Sequence, residues 1–169
     1  MSSDDLPKAS QELVDQDYQE HLNLTPEERI KKILDIKEKI IQLDSSDWEY
    51  KSNLLREQGR LFQSNEDVKR ALDCYNLASK VNGDNYKAWE SKGLLLGELG
   101  RYEEALASYN HVLEIKPSNY RALIIKGGLL SHLERYEEAL KSLDSALEIE
   151  PKDDTPLFSK YNLIRIRAI

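Results

Sequence analysis

Arg101-Tyr102-Glu103-Glu104-Ala105-Leu106 returns unchanged as Arg135-Tyr136-Glu137-Glu138-Ala139-Leu140. The two blocks belong to a longer agreement, in which residues 86–119 match residues 120–153 at eighteen of thirty-four positions without a gap. A unit of this length is one supersecondary element that cannot bury its apolar face alone, so copies stack on one another. The recurring residues suit a pair of helices. Gly93 and Gly127 fall inside the first helix of each unit, where the missing side chain lets the second helix approach and offsets the roughly 1 kcal/mol that glycine costs against alanine. Ala105 and Ala139 give room from the second helix, Gly100 and its equivalent Glu134 sit at the turn between helices, and Pro117 and Pro151 stop the second helix.

Trp89, Gly93, Leu96, Ala105, Tyr109 and Pro117 together resemble the pattern of the tetratricopeptide-repeat family. The resemblance implies an all-α fold, a right-handed α-α superhelix in which the first helices of successive repeats line a concave groove. Counting back by the same interval, residues 52–85 keep Gly59, Ala71, Leu72, Tyr75 and Ala78 but carry Gly83 where the proline stands, and are read as a third, divergent repeat. The expected organisation is a leader over 1–24, an N-terminal helix and entry segment over 25–51, repeats at 52–85, 86–119 and 120–153, and a C-terminal capping helix over 154–169. Leu157, Phe158, Tyr161, Ile164 and Ile169 are expected to form the inward face of that cap.

Thr25-Pro26-Glu27-Glu28 has an N-cap threonine, a proline in the first turn and a glutamate three residues after the cap, which predicts a helix start. Ile30, Ile33, Leu34, Ile40 and Ile41 follow at three- and four-residue steps, interrupted by Lys37, and predict an amphipathic helix to about Leu43. Ser46 with Glu49 reads as a second capping box, and Trp48 and Leu55 are expected to fasten the N-terminal helix to the first repeat. Residues 2–24 carry six acids against Lys8 alone, with only a weak helical pattern in Leu13, Val14, Tyr18 and Leu22, and are expected to be disordered or loosely docked.

Composition narrows the function classes. Hydrophobic residues make up 40% and charged residues 33%, the usage of a helix-rich soluble chain rather than a disordered one. A formal net charge of -7 argues against nucleic acid as partner, because phosphate binding depends on clustered Lys and Arg. No stretch reads as a membrane span or signal peptide, and the lone Cys74 cannot form an internal disulfide, so a cytoplasmic setting is expected. His21, His111 and His132 share no metal-ligand spacing with one another or with Cys74, and no phosphate loop, nucleophile elbow or HExxH pair occurs. The expectation is a protein with no metal or other cofactor and no catalytic role.

From the family resemblance, the groove positions fall on Asn53, Arg56 and Arg60, on Lys87, Ser91 and Leu94, and on Arg121, Ile124, Ile125 and His132. Arg56, Arg60, Lys87 and Arg121 would form a basic track suited to acidic side chains or a carboxylate, with Leu94, Ile124 and Ile125 as an apolar floor. The expected activity is protein-protein interaction, with a partner peptide or protein segment held in the groove. Relatives that grip the acidic tails of heat-shock chaperones use Lys and Asn, then Asn, then Lys and Arg. Here Arg56 and Arg121 stand at the lysine positions, Arg60 and Ser91 replace the asparagines, and Ile125 replaces the arginine, which makes chaperone-tail binding the weaker expectation. The acidic leader could occupy the groove as an internal competitor. The rival reading is self-assembly through the terminal helices, above all the apolar C-terminal end with Ile164, Ile166 and Ile169.

Overall fold

The computed structural model describes residues 23–160 apart from Ser45, Asn65 and Phe158. Among the described residues the regular structure is helical: α1 (Pro26–Gln42), α2 (Trp48–Ser64), α3 (Val68–Val81), α4 (Tyr86–Glu98), α5 (Tyr102–Ile115), α6 (Tyr120–His132) and α7 (Tyr136–Ile149). Residues 154–157, 159 and 160 are helical as well. The chain forms two compact units, Met1–Ala88 and Trp89–Ile169, with the division inside α4. Residues 1–22 of the leader expected over 1–24, His21 among them, lie outside the described residues, as do Phe158, Tyr161, Ile164, Ile166 and Ile169 of the expected cap and its self-association surface. Leu157, expected to face inward, is exposed, and the neighbouring Pro156 is the buried residue.

In the first unit, α1 opens with the capping box its sequence predicts. The Thr25 hydroxyl accepts from the Glu28 amide at 3.2 Å, and the Glu28 carboxylate accepts from the Thr25 amide at 2.7 Å. These bonds to Thr25 hold the Glu28 carboxyl below its ordinary value. Ile36 is buried with Leu54 and Leu61, and Leu24, Ile33, Ile40 and Leu43 pack around them. Ile30, Leu34 and Ile41, expected on the same inward face, are exposed. Five apolar positions at three- and four-residue steps cover an arc wider than one neighbouring helix can bury, and α2 takes the side that carries Ile36. Of the expected pair, Leu55 packs with Ile40, and Trp48 is 48% exposed. Helix α2 starts one residue later than the Ser46 box predicts, because the Asp47 carbonyl accepts the first helical bond, from Lys51.

Three turns share one geometry. Glu66, Gly100 and Glu134 have φ of 61°, 71° and 57°, and stand 34 residues apart. After each, an amide bonds back five residues: Asp67 to Phe62 at 2.9 Å, Arg101 to Leu96 at 2.9 Å and Arg135 to Leu130 at 2.8 Å. This is the Schellman end of a helix, with its left-handed residue just past the last turn. The same turn thus joins α2 to α3, α4 to α5 and α6 to α7. Within each pair the first-helix glycine meets a large second-helix side chain. A Cβ on Gly59 would lie 2.6 Å from Tyr75, one on Gly93 2.8 Å from Tyr109, and one on Gly127 2.9 Å from Leu143.

The second unit is centred on Leu106, Leu130, Ala139 and Leu143, flanked by Leu133, Tyr136 and Leu140. Beside it Leu123, Ile124 and Ala146 are buried together with Leu113 and Tyr120 against them. Arg101 and Arg135 each form a forked pair with the glutamate three residues on, Glu104 and Glu138, at 2.6 to 2.7 Å. The repeated Arg-Tyr-Glu-Glu block thereby closes its own helix start, at a solvent-exposed position where water and salt screen the pair.

Candidate partner-binding face

The expected groove residues of the first unit sit on α2 and at the beginning of α4, and they differ in availability. Asn53 and Lys87 are exposed, Arg56 is half-buried, and Arg60 is only 5% exposed. Arg60 is therefore an interior residue rather than part of an open basic track, since an arginine at mid-helix on α2 is carried inward along with Gln58, Gly59 and Leu61. Asn53 is held in place: its Oδ1 accepts from Asn85 Nδ2 at 3.0 Å. The same Asn85 amide donates to Ser52 Oγ at 2.8 Å, Ser52 Oγ donates to the Ala78 carbonyl at 2.8 Å, and Asn85 Oδ1 accepts from the Ala88 amide at 3.2 Å. One buried asparagine thus caps the start of α4 and ties it to α2, and Ser52 links α2 to the end of α3.

In the second unit Ser91 and Leu94 on α4 and Arg121 and Ile125 on α6 are half-buried, whereas Ile124 is 7% exposed and belongs to the core with Leu123 and Ala146. Ile125 is left to provide the accessible apolar contact on α6. Asn119 repeats part of the Asn85 arrangement: its Oδ1 accepts from the Ala122 amide at 3.0 Å, and its Nδ2 donates to Glu90 Oε1 at 2.9 Å. Burial pushes the Tyr109 phenol far above its ordinary range, with the Glu90 charge adding to the effect and Arg121 opposing it. His132 stacks on the Tyr102 ring, with centroids 4.7 Å apart, and His111 stacks on Trp89 at 4.4 Å. Lys92 lies over the same Trp89 ring, 5.0 Å from its centroid.

Asn85 and Asn119 were absent from the sequence expectations, although the signal was available. They stand 34 residues apart, each one position before an inner helix, and Asp153 continues the series by accepting from the Thr155 amide at 2.8 Å. Burial, then the charges of Asp73 and Asp67, push the Cys74 thiol up to about 11, away from the thiolate form. Among the described residues no group of three or more His, Cys, Asp or Glu is placed to hold a metal, and no helix is long and apolar enough to cross a membrane.

Two tetratricopeptide-repeat family profiles match the chain, over residues 56–120 and 98–159. No curated protein matches it. Among solved structures, the first tetratricopeptide domain of Spaghetti (RPAP3), bound to the HSP90 peptide SRMEEVD, shares 22% identity with a TM-score of 0.66, covering 76% of this chain and 99% of its own. The Arabidopsis OM64 tetratricopeptide domain shares 24% with a TM-score of 0.63, over 69% of this chain and 96% of its own. YrrB, described as a tetratricopeptide protein with an unusual peptide-binding site, shares 28% with a TM-score of 0.60, over 65% of this chain and 57% of its own. The overlapping profile matches, the thirty-four-residue return of the Schellman turns and the glycine contacts of α2, α4 and α6 lead to one conclusion: this all-α chain is a member of the tetratricopeptide-repeat family.

Proposed function

We propose that the chain is a non-catalytic interaction module that binds an acidic segment of a partner protein through the inner-helix faces of its repeats. One observation carries this reading. Asn53, Lys87 and Arg121 occupy the same position in consecutive repeats, all three can donate hydrogen bonds, and none of them is buried in the core. A position that carries a polar side chain outside the core in three consecutive repeats is suited to recognition. In the second unit Leu94 on α4 and Ile125 on α6 add half-buried apolar surface, and Ser91 adds a hydroxyl. In the first unit Arg56 supplies a guanidinium suited to a carboxylate. Arg60, Ile124 and the stacked His132 play no part in the contact. The peptides SRMEEVD and SGPTIEEVD, bound to proteins of similar fold, support an acidic segment as the class of ligand.

An array of acidic peptides, with SRMEEVD among them, tests the reading by fluorescence anisotropy. Selected peptides should pair acidic with apolar residues and bind with micromolar affinity, and binding should weaken steeply with salt. Replacing Arg56 and Arg121 together by alanine should lower affinity at least tenfold, with the far-UV circular dichroism unchanged. Equal binding by the double variant would refute the assignment of this face.

A further inference from the structure

Helix α1 has a second apolar face that the described residues of its own unit leave largely exposed. Ile30, Leu34 and Ile41 are 54%, 57% and 72% exposed, while Ile33, Ile36 and Ile40 on the other side pack against α2. With Lys37, the exposed residues follow steps of four, three and four, which is the seam spacing of a two-helix coiled coil. That spacing reads the same in both directions along the helix. A second copy of α1 laid antiparallel about a two-fold axis between Leu34 and Lys37 therefore sets each Ile30 against Ile41 of the other copy. Each Leu34 meets the aliphatic stem of Lys37 of the other copy, whose ammonium can still reach water.

The charges beside the stripe obey the same symmetry. Lys31 adjoins Ile30 and Glu38 adjoins Lys37. They are seven residues, about 10 Å, apart along the axis, too far to pair within one helix. Across the two-fold axis each lies beside its opposite in the other copy, twice per dimer. A parallel, in-register pair would instead set Lys37 against Lys37 and leave Lys31 and Glu38 on opposite flanks of the seam from their counterparts, so charge favours the antiparallel arrangement. Asp35 and Lys39 do not compete, since they pair with each other at 2.8 Å, and Lys32 pairs with Glu57 at 3.0 Å.

We propose that α1 is a homodimerisation helix, joining two copies of the chain through Ile30, Leu34, Lys37 and Ile41 in an isologous antiparallel contact registered by Lys31 and Glu38. The inference is independent of the inner-helix binding face. One helix per copy makes a small interface, so the dimer forms reversibly with concentration.

The test is sedimentation velocity on the full chain from about 1 µM to about 1 mM, a range that spans weak, small interfaces. The parent should pass from monomer to dimer. Leu34→Glu should move the midpoint up at least tenfold while thermal unfolding and helix content stay at parent values, since Leu34 lies outside the core. Lys31→Glu and Glu38→Lys should each weaken the dimer, and the double variant carrying both should restore it. A chain that stays monomeric throughout overturns the proposal, as does a double variant no better than the single ones. So does a dimer that survives Leu34→Glu but is lost on removing residues 158–169, or one that forms only after residues 1–22 are removed, which would make that segment the occupant of the stripe.

Discussion

Gly127 and Gly128 are neighbours on α6 with opposite surroundings, and alanine should stabilise the chain at Gly128 but not at Gly127. Both substitutions gain the same helix propensity, about 1 kcal/mol, because alanine loses less backbone freedom than glycine. At Gly128 nothing lies within 4 Å of an added Cβ, so the gain stands. At Gly127 the Cβ would lie 2.9 Å from both Cγ and Cδ2 of Leu143 and 3.5 Å from the Ala139 carbonyl. Leu143 cannot retreat: it is 1% exposed and wedged among Leu106, Leu130 and Ala139. Overpacking of a filled core costs about 1 to 3 kcal/mol. Because the propensity gain cancels, the difference between the two variants measures the clash alone and should be about 1 to 3 kcal/mol. Gly128→Ala should be about 1 kcal/mol more stable than the parent, and Gly127→Ala should range from neutral to about 2 kcal/mol less stable. Urea unfolding followed at 222 nm gives both midpoints, and the shared helix ensures that the same folding unit is being measured. Two variants shifted alike would refute the claim that close approach of the second helix is what requires glycine. Gly59→Ala and Gly93→Ala should follow Gly127→Ala, since their Cβ atoms would meet the rings of the buried Tyr75 and Tyr109.

Three further outcomes follow from particular contacts. Asn85→Ala removes a helix cap and leaves Ser52 and Asn53 short of a donor, so it should cost about 2 to 3 kcal/mol in urea unfolding, against about 1 for Asn119→Ala at a less buried site. A loss below 0.5 kcal/mol for Asn85→Ala, on the order of a neutral surface change, would show that the buried network is not what joins α2 to α4. Glu66→Gly and Glu134→Gly relieve a left-handed conformation at φ of 61° and 57° and should each add about 0.5 to 1 kcal/mol, whereas Gly100→Ala should remove a similar amount. Thermal melts that rank these three variants differently would contradict the turn assignment. The Cys74 thiol, raised by burial to about 11, should react with iodoacetamide at pH 8 roughly a hundredfold more slowly in the folded chain than in urea. The sign of the linked pH effect follows: above pH 9 the unfolded chain loses this proton before the folded one does, so stability falls as pH rises from about 9 to 11. Cysteine reacting equally fast in both states would show that the site is open.

The repeat interval by itself determined most of the fold. A residue that recurs every thirty-four positions answers a local requirement that recurs with it. Gly100 and its counterparts occupy the left-handed end of a helix, and Gly59, Gly93 and Gly127 leave room for a side chain from the following helix. Such requirements act within a turn or between adjacent helices, so they leave a mark on the sequence. The Thr25 capping box was legible for the same reason.

Only tertiary structure decided which surfaces remained available. Apolar residues at helical spacing show that α1 is amphipathic, but the arc they cover exceeds one contact. The position of α2 buried Ile36 and left Ile30, Leu34 and Ile41 outside. Arg56, Arg60 and Arg121 look alike in sequence, yet Arg60 is interior while Arg56 and Arg121 keep partial exposure. Burial depends on which neighbour a helix face meets, a property of the assembled pair of helices that the spacing within either helix does not contain.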